Sequence, residues 1–218
     1  MTVVLKVGGA STDGVAEAVR ALGDRVCVVH GAGPQISAEM ERRGLEVRFV
    51  GGRRVTTHEA LDVVRESLAA VNAAVCEAIG EHAVPLAGDR IGLEAVQLPE
   101  LGLVGRPVPS CPVPVLRALA AGRVPVVTPL ARGPLNVNAD EAAAALAVGL
   151  GASRLHFLTD VPGVYRDGGL VDSLDAATAE SLVANGEFEG GIVPKVLAAV
   201  RAARNGVVAE IGLTAVTA

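Results

Sequence analysis

The sequence predicts an α/β protein built on a parallel sheet, and three observations lead to that class. Short β-branched runs alternate with longer segments of Ala, Leu, Glu and Arg, which is how βαβ units are written in a chain. Half of the residues are hydrophobic, but with three Phe, one Tyr and no Trp the core has to be aliphatic, as it is where parallel strands are flanked by Ala-rich helices. Several of the runs open into glycines just before a helical segment, as βα turns do. A chain of 218 residues suffices for one sizeable domain or for two lobes sharing a sheet, and a single unit is expected.

Taken in order, candidate strands run from Val3 to Val7, Val26 to His30, Leu93 to Gln97, Val124 to Thr128, Leu155 to Thr159 and Val207 to Ile211. Candidate helices lie near Asp13 to Leu22, Pro34 to Arg43, Thr57 to Ile79, Pro112 to Ala121, Ala139 to Leu150 and Ile192 to Asn205. The longest of these places Leu61, Val64, Leu68, Val71 and Val75 at steps of three and four on one apolar stripe, and Thr56 with Glu59 reads as a capping box at its start. The stretch Pro107 to Pro114 is too short and apolar for a free tether and reads as a packed loop.

Composition narrows the function. A net charge of −5, with arginines dispersed along the chain, argues against nucleic acid as a partner, so any anion has to be bound locally. No uncharged apolar run approaches the ~18 residues of a membrane span, and the N-terminus lacks the pattern of a secretory signal, so a cytoplasmic location is expected. Cys27, Cys76 and Cys111 are too dispersed for a disulfide framework or a zinc site and read as buried, reduced thiols. Of nineteen basic residues only Lys6 and Lys195 are lysines.

Six segments can carry chemistry. Lys6-Val7-Gly8-Gly9 ends a strand in glycines that let backbone N–H groups approach phosphate oxygens, with a lysine to neutralise charge. Gly31-Ala32-Gly33, between a strand and a helix led by Pro34, forms an anion site at a helix N-terminus, and the adjacent His30 reads as a packed histidine rather than a base. Gly51-Gly52-Arg53-Arg54 presents a guanidinium that can grip a carboxylate with two parallel hydrogen bonds, Arg53 reading as a solvated loop arginine. Asn136-Val137-Asn138-Ala139-Asp140-Glu141 offers amides and a carboxylate ahead of an Ala-rich helix. Asp160-Val161-Pro162-Gly163-Val164-Tyr165 ends a strand in a turn able to enclose an adenine or ribose, and Gly190 to Lys195 opens the last long helix with free N–H groups and the second lysine. Each segment alone is also explained by an ordinary turn or helix cap.

In this order and spacing, over almost the whole chain, the six segments resemble the amino-acid kinase family, and Asn136 to Asp140 with Gly190 to Lys195 are most similar to its branch that phosphorylates N-acetylglutamate. The resemblance implies a three-layer αβα sandwich with a mostly parallel central sheet, with an acyl-amino-acid lobe near residues 1–133 and a nucleotide lobe near 134–218. It implies transfer of the γ-phosphoryl of ATP to the γ-carboxylate of N-acetyl-L-glutamate, giving the 5-phosphate and ADP, within arginine biosynthesis. Lys6 and Lys195 would stabilise the transferred group and Asp140 would organise the lysines. Gly31, Ala32, Gly33, Arg54 and Asn136 would bind the acyl amino acid. Gly8, Gly9, Asp160, Val161, Pro162, Gly163, Val164, Tyr165, Glu187, Phe188, Glu189 and Gly191 would hold the nucleotide, with Mg²⁺ carried on the ATP phosphates and no protein ligand for it. The alternatives are a sister kinase acting on carrier-bound aminoadipate or another acidic amino acid, and a non-catalytic ligand sensor of the same fold.

Three departures from the family pattern carry expectations of their own. Ala32 stands where the family has glycine and would be strained by ~1 kcal/mol if that residue needs a positive φ. The helix that precedes the last strand is missing, although Leu213 to Thr217 can still supply the strand. No helix precedes Val3, so the expected assembly is a homodimer, insensitive to arginine, that uses the Thr57 to Ile79 helix.

Overall fold

A computed structural model describes residues 1–9, 12–23, 25–159, 161–166 and 168–218. Its centre is an eight-stranded sheet whose strands are β1 (Val3–Val7), β2 (Val26–His30), β3 (Ala83–Ala87), β4 (Val124–Thr128), β5 (Arg154–Phe157), β6 (Ser173–Asp175), β7 (Val208–Ile211) and β8 (Thr214–Thr217). They lie in the order β6-β8-β7-β5-β1-β2-β4-β3, all neighbours parallel except β7 and β8, which a tight turn joins antiparallel. The mostly parallel sheet expected from the alternating runs is therefore present. The terminal strand is also there, seated between β7 and β6.

Helices cover both faces. On one side α1 (Val15–Leu22), α2 (Gly33–Arg42) and α3 (His58–Ile79) bury Val15, Ile36, Met40, Leu61, Val64 and Leu68 against Leu5, Val7, Val26 and Val28. On the other, α5 (Val113–Ala120), α6 (Ala139–Gly149), α7 (Ala176–Ala184) and α8 (Ile192–Ala203) pack on Val4, Cys27 and Val29, and the one-turn α4 (Gly88–Ile91) lies near the β3 edge. The inward side of α6 is mostly small: Ala142, Ala143, Ala144, Ala145 and Ala147 are buried, with Leu146 the large side chain among them. The apolar stripe of α3 faces inward as its spacing requires, with Leu61, Val64, Leu68, Val71 and Val75 buried.

A second sheet of four short strands, in the order Ala95–Gln97, Val104–Pro107, Leu135–Val137 and Leu130–Ala131, sits beside the end of β4, and a separate two-stranded hairpin pairs Phe49–Val50 with Arg53–Arg54. The expected strand Leu93 to Gln97 is thus shorter and belongs to the small sheet. The start of α3 also differs. Thr57, not Thr56, is the N-cap, its hydroxyl accepting from Ala60 N at 3.2 Å. Thr56 instead lies fully buried and donates its hydroxyl to Arg54 O.

Candidate active site

Alternation along β1 decides what its lysine meets. Leu5 and Val7 point into the α1–α3 layer and Val4 into the α6 layer, so Lys6 projects toward α6. There its Nζ lies 2.8 Å from Asp140 Oδ1, with both side chains more than nine-tenths buried. Asp140 is held at the first turn of α6 because Asn138 Oδ1 accepts from the N–H groups of both Asp140 (2.9 Å) and Glu141 (3.1 Å). His30 has the opposite parity on β2, and its Nε2 meets Asn72 Nδ2 of α3 at 3.0 Å. Burial, opposed by a hydrogen bond to Gly31 O and reinforced by the Lys6 charge, pulls its pKa down to about 4. His30 is a neutral packed residue, as the sequence suggested.

The two glycine turns touch. A Cβ on Gly9 would stand 2.6 Å from Gly31 O, so only glycine lets the end of β1 lie against the turn that leads into α2. Gln35 on the first turn of α2 donates to Gly9 O and tightens that contact. Ala32 adopts φ −148° as the N-cap of α2, so the anticipated left-handed strain is absent.

Arg54 is a second buried cation of this cleft. Its Nη2 donates to Gly33 O (3.0 Å) and Ser37 Oγ (2.8 Å), its Nη1 faces Met40 Sδ (3.4 Å), and its guanidinium carbon stacks 4.5 Å from the centre of the Phe49 ring. None of these partners is a carboxylate. Burial lowers the Arg54 pKa from its ordinary value, the effect of desolvating a charge. Asn136 Nδ2 donates to Thr56 Oγ1 (3.0 Å), and the Thr56 hydroxyl in turn donates to Arg54 O (2.8 Å), so the amide is wired to the arginine backbone.

Lys6, Gly9, Gly31, Ala32, Gly33, Arg54, Asn136 and Asp140 all line one cavity of about 190 Å³ at the carboxyl ends of β1 and β2, with Arg53 and Asn138 also on its wall. Lys195, Gly8, Gly191, Val161 to Tyr165 and Glu187 to Glu189 lie outside that lining. Lys195 sits in the first turn of α8, its Nζ 3.2 Å from Gly191 O. A Cβ on Gly52 would come 3.6 Å from the neighbouring Pro194, so the hairpin tip lies beside this turn. After β5 the loop holds Val161 and Tyr165 exposed and Val164 buried, while Asp160 lies outside the described residues. Thr214 fastens this loop, accepting from Val164 N (2.8 Å) and donating to Val171 O (2.6 Å). Phe188 packs partly against the core. Among the described residues no group of three or more His, Cys, Asp or Glu side chains could hold a metal ion.

Residues 1–211 match the sequence profile of the Amino acid kinase family. The chain belongs to the amino acid kinase family. Acetylglutamate kinase of Rubrobacter xylanophilus is 44% identical over 223 residues, covering 96% of this chain and 88% of that protein. Acetylglutamate kinase of Geobacillus stearothermophilus is 38% identical over 220 residues, covering 92% and 85%. Among solved structures, smu.665 of Streptococcus mutans UA159 superposes with a TM-score of 0.86 at 23% identity, over 99% of this chain and 98% of its own. The amino acid kinase fold is thereby shown.

Sequence reasoning misplaced or missed several residues of this family member. Arg53 is not a solvated loop arginine: it lines the cleft and forks onto Glu141, through Nη2 to Oε1 and through Nε to Oε2 at 3.1 Å. Cys111 is exposed and Cys76 only partly buried, because the loop before α5 and the outer side of α3 lie at the surface. Ser37 and Thr214 hold site segments but carry no motif. The spacing from Gly33 to Ser37, one helical turn, could have flagged Ser37.

Proposed function

We propose that this chain transfers the γ-phosphoryl group of MgATP to the side-chain carboxylate of N-acetyl-L-glutamate, releasing ADP and the acyl phosphate, within arginine biosynthesis. The observation that carries this reading is a single cleft holding a buried Lys6–Asp140 pair beside a buried Arg54 that has no carboxylate partner among the described residues. At about 190 Å³ the cavity is smaller than the ~300 Å³ at the low end of drug-sized pockets, which suits a small acylated amino acid. Its likeness to acetylglutamate kinases over 92–96% of the chain supports the same substrate.

In this reading the Arg54 fork takes the α-carboxylate and Asn136 faces the acyl amino acid. A side-chain carboxylate oxygen attacks the γ-phosphorus in line. The new oxygen–phosphorus bond forms as the bond to the bridging β,γ-oxygen breaks, and the electron pair leaves on ADP. A carboxylate has no proton to surrender, so no general base is needed and neutral His30 is consistent with the scheme. Lys6, oriented by Asp140, and Lys195 at the start of α8 supply positive charge to the transferring oxygens. The loop Asp160 to Tyr165 and residues Glu187 to Gly191 hold the nucleotide, Mg²⁺ entering as part of the substrate. Residues 1–133 then form the acyl-amino-acid lobe and 134–218 the nucleotide lobe of a cytoplasmic homodimer.

ADP release with hydroxylamine trapping of the acyl phosphate, run over N-acetylglutamate, glutamate, aspartate and aminoadipate, tests the assignment. Turnover with N-acetylglutamate is expected to exceed the others, and a preference for a different acid would replace the substrate. Arg54→Lys is expected to raise KM for the amino acid far more than KM for ATP, since an ammonium cannot reproduce the fork.

A further inference from the structure

The hairpin that carries Arg54 is a two-stranded sheet joined to neither larger sheet. Strands of two residues on a Gly51-Gly52 turn are marginal on their own, so other contacts must hold this piece over the cleft. Arg54 ties it to α2 through Gly33 O and Ser37, Thr56 anchors its far end on Leu101 O, and two further tethers reach the start of α6. Arg53 places two guanidinium nitrogens on the two carboxylate oxygens of Glu141. One residue earlier, Gly52 O accepts from Asn138 Nδ2 at 3.1 Å. Asn138 is the same residue whose Oδ1 caps α6, so one amide grips the hairpin with its nitrogen and the helix with its oxygen. Glu141 directly follows Asp140, the partner of Lys6.

We infer that Arg53, Glu141 and Asn138 form a latch that positions the hairpin over the cleft, setting Arg54 for the substrate carboxylate from the same helical turn that sets Lys6. This rests on the reading of the cleft as the acyl-amino-acid site. The latch residues are positioning residues, acting through Arg54 and through Asp140. The bidentate geometry makes the contact directional, and both side chains are about three-quarters or more buried, at 24% and 19% exposure, so water competes weakly for it. The side chain next to Arg54 therefore neutralises its own charge within the protein, and Arg54 remains the uncompensated cation facing the cavity. An arginine at 53 is then a distinct part from an arginine at 54, although the two are adjacent in sequence.

The test compares Arg53→Met, Glu141→Gln, Arg53→Glu and the exchanged pair Arg53→Glu with Glu141→Arg. Each single variant is expected to raise KM for N-acetylglutamate about five- to tenfold, leaving KM for ATP within about twofold. The exchanged pair is expected to recover most of that loss, which a role in general folding would not produce. Amide hydrogen exchange over residues 49–54 gives a readout free of any substrate, and it is expected to speed up in the Arg53→Met and Glu141→Gln proteins at unchanged global stability. Unchanged exchange in both variants, or an exchanged pair no better than Arg53→Glu alone, would overturn the latch. If exchange accelerates while the wild type ignores N-acetylglutamate, the latch stands and the substrate reading falls.

Discussion

A lysine buried against an aspartate is expensive to desolvate, and it is retained where its charge is used. Seventeen of the nineteen basic residues here are arginines, and the two lysines fall at the end of β1 and the start of α8. A compact ammonium meets a phosphoryl oxygen where a planar guanidinium would clash or miss. Lys6→Arg and Lys195→Arg are each expected to lower kcat roughly a hundredfold or more while the fold survives, checked by steady-state kinetics beside circular dichroism. Near-normal kcat in both would remove the lysines from the mechanism. His30 offers an independent check through pH. With its folded pKa near 4 and an unfolded value near 6.5, the unfolded chain binds the proton first, so stability is whole above pH 6.5 and falls as pH drops toward 4. The loss amounts to about 3 kcal/mol at most, and denaturant melts across pH should show it flattened in His30→Gln. The grouping of Lys6, Arg54 and Asp140 about one cleft was legible because glycines and helix starts flank them, whereas Lys195 lies outside that lining. Arg53 was not legible, since its partner Glu141 is 88 positions away and only the folded chain brings them together.

Elements that owe their existence to local pattern were readable, and those that owe it to neighbours were not. β1, β2 and β4 have the boundaries the sequence suggests, because each is a β-branched run buried on both faces. β3 escaped notice: Pro85 in its middle argues against a strand, and it is tolerated here because β3 is the outermost strand of the sheet. α7, made of Ala, Thr, Ser, Leu and Val with Glu180 its one charged residue, has too little charge on its outer face to mark its period, and the structure caps it with Asp175, whose carboxylate accepts from Thr178 N at 2.9 Å. If Thr57 terminates the helix through Ala60 N, Thr57→Ala should cost about 1 kcal/mol by urea denaturation. Thr56→Ser keeps the hydroxyl that binds Arg54 O and should leave the cap intact. A Thr57→Ala protein as stable as the wild type would mean that α3 is held by its buried stripe alone.

At the scale of the molecule, the sheet is open at the β3 edge, and an exposed edge beside an apolar wall invites pairing with another chain. β3, the outer side of α3 and α4 enclose a groove of about 740 Å³, walled by Leu86, Ile91, Ala69, Ala73 and Cys76 and closed at one end by the Arg65–Asp89 ion pair. Ala69 and Ala73 lie one helical turn apart and are exposed, so a second helix can approach α3 closely there. Leu68 of α3 lines both the groove and the cleft, so one buried side chain connects the two. A homodimer that uses this face would bury α3 against its symmetry mate, the same patch on both copies. Light scattering should give twice the chain mass at micromolar protein. Ala73→Arg, placing a charge in the middle of the contact, should return a folded monomer with a raised KM for the amino acid, because Leu68 then loses its support. A wild type that stays monomeric at those concentrations, or an Ala73→Arg protein that remains dimeric, would move the interface away from α3.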